Sequence, residues 1–195
     1  IAAATAPNFE LSTPMLVTPF LAFEEQGRIC KSVKAWREAA LKEGRLIEYV
    51  RTADEPPKKK LKIIFISHTW WDRDFKDDTN DPNDKYDKGA PDYQSGEKKD
   101  LKFRTIVKGV CALIKKKGWD ADTIVLWIDW QSIYQDDKAM KLKGVGSLIH
   151  WATQCEAMLV PTEYESRVPA QYPDELDDYG TRGWCRAEFW VFALW

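Results

Sequence analysis

Three short apolar runs organise the later part of the chain: Leu61–Ser67, Thr123–Asp129 and Ala157–Pro161. They are nearly continuous rather than alternating, the pattern of strands buried on both faces of a parallel sheet. Helical periodicity separates them. Leu101–Lys117 sets Ile106, Val110, Leu113 and Ile114 on one face and stops at Gly118. Ser147 is placed to cap a further helix that ends at Gln154 or Cys155. Strand and helix in alternation predict βαβ units.

The N-terminal part reads differently. Pro7, Pro14 and Pro19 predict an irregular segment over residues 1–30, with Met15-Leu16-Val17 as an apolar arm. Ser32 is expected to cap a helix over Val33–Glu43, stopped by Gly44, and Leu46–Val50 suits a short strand. The run Asp54–Lys60, with Pro56 and Pro57, reads as a hinge. The expected division is an N-terminal extension or docking arm over 1–57 and a core domain over 58–195. Ile1–Pro7 has no basic region and no long apolar stretch, so it does not read as a signal peptide. Trp184–Trp195 reads as a helix with no stop signal, so the domain is expected to continue.

Composition narrows the classes. Hydrophobic residues at 44% of 195 support a core and exclude wholesale disorder. Lys and Arg number 29 against 31 Asp and Glu, so bulk charge will not hold this chain to nucleic acid. No apolar run approaches the roughly 20 residues of a spanning helix, so no membrane insertion is expected. Cys30, Cys111, Cys155 and Cys185 form no CxxC pair, and His68 and His150 add no zinc spacing. No metal is expected, and the cysteines read as reduced thiols of a cytoplasmic protein. Residues 72–100 carry ten acids and six bases. Within them Asp77–Asp84 lacks the central Gly and terminal Glu of a calcium loop and reads as a solvated insertion.

Ligands of open parallel sheets bind beyond the carboxyl ends of the strands. Those ends are Ser67-His68-Thr69-Trp70-Trp71-Asp72, Asp129-Trp130-Gln131-Ser132-Ile133 and Thr162-Glu163-Tyr164. Polar and aromatic residues gather where each apolar run stops. Ten tryptophans are an unusual number, and Trp70, Trp71, Trp127, Trp130 and Trp184 flank strand ends or open the last helix. Trp70 and Trp130 are the two expected to line a ligand site, with Ser67, His68 and Asp129. The simpler reading of His68 is a structural hydrogen-bond partner at a strand end, and His150 reads as a packing or surface histidine.

These residues carry a resemblance. Phe65-Ile66-Ser67-His68 resembles the first box of TIR (Toll/interleukin-1 receptor) domains, and Trp127-Ile128-Asp129 the strand that precedes their BB loop. Ser147–Pro161 is similar to the third helix and fourth strand, and Gly183-Trp184-Cys185-Arg186-Ala187-Glu188 to the "WC..E" that opens the following helix. The ordered set spans residues 61–195 and is closest to divergent TIR-like domains of microbial eukaryotes and bacteria. The resemblance implies a flavodoxin-like three-layer α/β sandwich with a central, mainly parallel sheet, preceded here by an N-terminal extension with one helix.

The resemblance implies one of two functions. TIR domains self-associate as signalling scaffolds, or they cleave NAD at the nicotinamide–ribose bond. The expected partners of a scaffold are other TIR-like domains or a second copy, or a larger assembly in which the chain is a structural subunit. Its contact loop would be Trp130–Lys143, with Ile133, Tyr134, Met140 and Leu142 at the interface. For the enzyme, NAD is a substrate and no cofactor is implied. The family's catalytic Glu lies in the helix after the BB loop, and the aligned position falls near Gly144. No Glu lies between Asp129 and Cys155, and the acids there are Asp136 and Asp137. The candidate carboxylates are therefore Asp136, Asp137 or Glu188. Assembly with weak or no NAD cleavage is the expectation.

Overall fold

The computed structural model describes residues 13–49, 60–72, 75, 89–163, 179 and 182–194. The expected hinge after Tyr49, the calcium-like run, Tyr164, the Trp184 ring and Trp195 lie outside them. The three apolar runs form β3 (Lys62–Ile66), β4 (Ile124–Ile128) and β5 (Ala157–Leu159). They are parallel, with Ile66 level with Ile128 on one side and Leu159 on the other.

The irregular segment expected over residues 1–30 instead holds a strand and a helix among its described residues, while the helix expected over Val33–Glu43 and the strand expected over Leu46–Val50 are both present. Met15–Pro19 is β1 and Ile47–Tyr49 is β2, and β1 pairs antiparallel with both β2 and β4. The sheet therefore runs β2-β1-β4-β3-β5, with the N-terminal strand inside it. The prolines that suggested breaks serve as boundaries. Pro14 immediately precedes β1, and Pro19 ends it and sits at the N-cap of α1 (Phe20–Gln26). Helix α2 (Lys34–Lys42) follows. Its N-cap is Val33 rather than Ser32, whose buried hydroxyl has no hydrogen-bond partner among the described residues.

Helix α3 (Leu101–Lys117) ends at Gly118, whose φ of 64° suits a residue without Cβ and whose N–H bonds the Ile114 carbonyl. Beyond β4 come the single turn α4 (Asp129–Ser132) and α5 (Lys138–Ala152). Ser147 does not start this helix. Asp137 is the N-cap, its carboxylate accepting from Met140 N at 3.0 Å, while buried Ser147 donates back to the Lys143 carbonyl at 3.0 Å. A capping residue has a free amide within reach only in the first turn, and that turn lies ten residues earlier than the apolar pattern suggested. Helix α6 (Gly183–Leu194) closes the described chain.

Strand alternation places a core on each face. Ile64, Ile66, Ile124, Leu126 and Ile128 face α1 and α3 and meet Phe20, Phe23, Phe103, Ile106 and Val110. Ile63, Phe65, Val125 and Trp127 face α5 and α6 and meet Leu148, Trp151 and Phe192. Helices thus cover both sides of a mixed sheet, in three layers. Phe65 stacks on Trp127 with centroids 4.5 Å apart, and Trp127 leans on Trp151 at 5.9 Å. Trp127 and Trp151 are each 1% exposed, so these two indoles are core packing.

The first half of the expected contact loop, Trp130–Gln135, is enclosed by the N-terminal segment, while most of the rest of it is exposed. Ser32 N bonds the Trp130 carbonyl at 2.9 Å, and Gln135 N bonds the Ser32 carbonyl at 3.0 Å. Gln131, fully buried, accepts from Cys30 N and donates to Thr18 Oγ1, each at 3.1 Å. Arg37 stacks its guanidinium 3.8 Å from the Tyr134 ring centre and pairs with Asp136 at 3.3 Å.

Candidate functional site

The carboxyl ends of β3, β4 and β5 meet the start of α6, and a chain of polar contacts fills the junction. Ser67 directly follows β3, and its N–H bonds the Leu159 carbonyl of β5 at 3.1 Å. Its hydroxyl contacts both the Tyr179 hydroxyl and a carboxylate oxygen of Glu188. Glu188 reaches back from α6 and is 8% exposed. Burial pushes its carboxyl up to about 7, against the opposing pull of the Ser67 hydroxyl. Tyr179 is also buried, and that burial raises its phenol.

The next residue along the chain starts a second set of contacts. His68 Nε2 lies 2.9 Å from Asp129 Oδ1, at the end of β4. Its Nδ1 lies 3.1 Å from the Thr69 carbonyl and 3.4 Å from Lys102 Nζ. Lys102 is completely buried in the first turn of α3 and donates to the Thr69 carbonyl. Burial lowers its amine to about 7 although Asp92 and Asp129 oppose the shift. Asp92 fixes the start of α3, accepting from Tyr93, Lys102 and Phe103 N–H groups at 2.8–2.9 Å. Its burial raises its carboxyl despite these bonds. Burial acts most strongly on Asp129 and upward, but the facing His68 imidazole, the Trp130 N–H and Lys102 together outweigh it and the carboxyl ends below its ordinary value. The Asp129 side chain, 38% exposed, brings this buried row to the surface.

Two tryptophans stand beside it. Trp70 meets Trp130 edge to face at 5.0 Å. Trp130 is 4% exposed with the Lys31 amine 5.2 Å from its ring centre, so its ring backs Trp70. Trp70, half-buried, is the more exposed indole of this pair.

The residues expected from the sequence separate into two groups. Ser67, His68, Asp129 and Glu188 come together, with Trp70 and Trp130 alongside. Asp136 and Asp137 contact none of them among the described residues. Asp136 accepts from Lys34 N and pairs with Arg37, which together hold its carboxyl below the ordinary value although its partial burial acts the other way. Asp137 caps α5. Gly144, the position aligned to the family carboxylate, faces Ile133, and a Cβ added there would lie 2.9 Å from that side chain. That point of the fold is packing. Of the expected interface, Ile133 is 3% exposed and Tyr134 is covered by Arg37, whereas Leu142 is 65% exposed and Met140 half-buried.

Lys102, Asp92 and Tyr179 were not legible as site residues. Lys102 did leave a trace: it lies four residues before Ile106 and eight before Val110, a charge on the apolar stripe of α3. Cys185, 4% exposed, lies against the His68 carbonyl with Sγ at 3.8 Å, and burial pushes its thiol up to about 12, so it is no thiolate nucleophile near neutral pH.

No family model, curated protein or solved structure matches the chain. Among the described residues no cluster of three or more His, Cys, Asp or Glu side chains is arranged to hold a metal ion. No described helix is long and apolar enough to cross a membrane.

Proposed function

We propose that this chain is a TIR-like, flavodoxin-type domain that cleaves NAD, or a closely related nicotinamide nucleotide, at the nicotinamide–ribose bond, with Glu188 as its carboxylate. The observation that carries the reading is the position of Glu188. It is a buried carboxyl at the carboxyl edge of the parallel strands, joined to Ser67 and held near neutrality. The carboxylate missing from the α5 region is supplied instead by the helix after the third parallel strand.

The chemistry needs little beyond such a group. The C1′–N bond breaks, its electron pair leaves with nicotinamide, and the ribosyl carbon develops positive charge before water adds and loses a proton. A carboxylate with little water around it is stabilised most when a cation forms beside it, so its interaction is stronger in the transition state than in the bound substrate. Ser67 orients that carboxylate from a strand end, a rigid element. Trp70 offers an indole face for a planar ring, and Asp129 an acceptor for sugar hydroxyls.

Purified chain incubated with NAD is expected to release nicotinamide, measured by chromatography, and Asp136→Ala and Asp137→Ala are expected to retain that turnover. Absence of turnover, or loss of turnover in either aspartate variant with Glu188 intact, refutes the assignment.

A second reading, self-association, is supported by the exposed end of the expected loop, Leu142, together with Ile149 one helical stretch further along α5. Leu142 and Ile149, 65% and 40% exposed, lie seven residues apart on α5, with Gly146 between them on the same face. A second copy is the occupant proposed. Light scattering over a concentration range should show association that Leu142→Glu with Ile149→Glu abolishes, and a strict monomer would end this reading.

A further inference from the structure

Lys102 is an unusual group to bury. Its side chain is fully covered, and its amine forms no ion pair among the described residues. The hydrogen-bond partners of Nζ are the Thr69 carbonyl and His68 Nδ1, and the Trp71 ring centre lies 4.5 Å away. A methionine of similar length would fill the same space without the desolvation cost of an amine. The polar end therefore answers a need at that point.

The need is visible in the geometry of His68. On one side its Nε2 faces the Asp129 carboxylate at 2.9 Å, which accepts only, so Nε2 carries a proton. On the other side Nδ1 lies 3.1 Å from the Thr69 carbonyl oxygen, which also accepts only. In a neutral ring Nδ1 is then itself an acceptor, and two acceptors at that distance repel. A donor serving both removes the conflict, and Lys102 Nζ stands within reach of each.

We propose that Lys102 is a positioning residue of the candidate site: its amino group, set between the Thr69 carbonyl and His68 Nδ1, holds the imidazole in the Nε2–H tautomer and through it fixes the Asp129 carboxylate. The functional part of this inference rests on the reading that Asp129 borders the NAD site.

The amine donates whether or not it is charged, so its lowered basicity does not remove the restraint. Charged and titratable groups face the pair from several elements. Asp92 lies at the start of α3, Asp129 at the end of β4, and Arg182 and Cys185 at the start of α6. Glu188, one turn along α6, faces Asp129 and Arg182. The two carboxylates nearest Lys102 favour a protonated amine, and Arg182 opposes it.

The test is nitrogen NMR of the imidazole rings in uniformly 15N-labelled full chain at pH 8. The chain holds two histidines, so a His150→Gln spectrum assigns His68. The wild type is expected to show one protonated ring nitrogen, Nε2, and a bare Nδ1. In Lys102→Met the Nδ1 resonance is expected to shift to the protonated range, because the Thr69 carbonyl then demands a donor from the ring itself. NAD cleavage should fall about tenfold in kcat/KM in that variant. A wild-type ring protonated on Nδ1 overturns the proposal, as do identical ring states in wild type and variant. If circular dichroism shows Lys102→Met unfolded, the wild-type tautomer decides alone. The ring spectra need no substrate, so a wild type that releases no nicotinamide refutes the NAD reading without touching them.

Discussion

If the proposed reading holds, Glu188→Gln is expected to lower kcat/KM for NAD cleavage roughly a thousandfold, the scale of losing a preorganised electrostatic partner of the transition state. Gln keeps the size and the hydrogen-bonding reach of Glu, so the contact to Ser67 survives while the charge does not. A carboxylate beside developing positive charge is the effect removed, and little of it is felt in the ground state. The loss should therefore appear in kcat with KM little changed. In the wild type kcat/KM should rise as the pH passes about 7, where the buried carboxyl ionises. Retention of a tenth or more of wild-type kcat/KM in Glu188→Gln would rule out this carboxylate as the catalytic group.

The same substitution changes how stability depends on pH. Glu188 titrates near 7 in the folded chain against 4.5 for the free group. The native state holds this proton more tightly, so between pH 4.5 and 7 it binds more protons than the unfolded chain. Stability from this group is then fully present below about 4.5 and is lost as the pH rises through 7. The loss is on the order of 3 kcal/mol across that window, since each pH unit of difference corresponds to about 1.4 kcal/mol. Gln has no proton to lose, so the unfolding free energy of Glu188→Gln should exceed that of the wild type at pH 8 and the excess should shrink toward pH 4.5. Urea unfolding at both pH values measures it. Parallel profiles for the two proteins would show that Glu188 is not buried as described. A variant that loses activity yet gains stability at pH 8 is the signature of a group strained for function rather than packing.

Several elements were readable in advance because they rest on local pattern. β3, β4 and β5 are runs of apolar residues flanked by polar strand ends, and α3 carries a periodic stripe and a terminal glycine. The residues after each strand were likewise readable as site candidates, since the carboxyl edge of a parallel sheet is fixed by chain direction. Ser67, His68 and Asp129 were found that way. Other features depend on partners far along the chain. β1 looks like a proline-flanked loop until β4 offers its edge, and the start of α5 moves to Asp137 because that carboxylate meets the Met140 amide. Spacing along the sequence made Asp136 and Asp137 as plausible as Glu188. Arg37 and the α5 amide claim the two aspartates, and the crossing of α6 over the strand ends brings Glu188 to Ser67.

By itself, then, the sequence determined the three parallel strands, the helix α3 between the first two and the edge on which chemistry would sit, because hydrophobic periodicity and chain direction are local properties. The tertiary structure decided which carboxylate lies at that edge, that the N-terminal segment belongs to the sheet and covers the first half of the expected contact loop, and that Lys102 stands behind His68. Those outcomes come from burial and hydrogen-bond partners supplied by residues distant in sequence, Ser67 with Glu188 and Lys102 with His68 among them. Burial is also what moves Glu188 and Lys102 toward neutral pH, and no spacing along the chain encodes it.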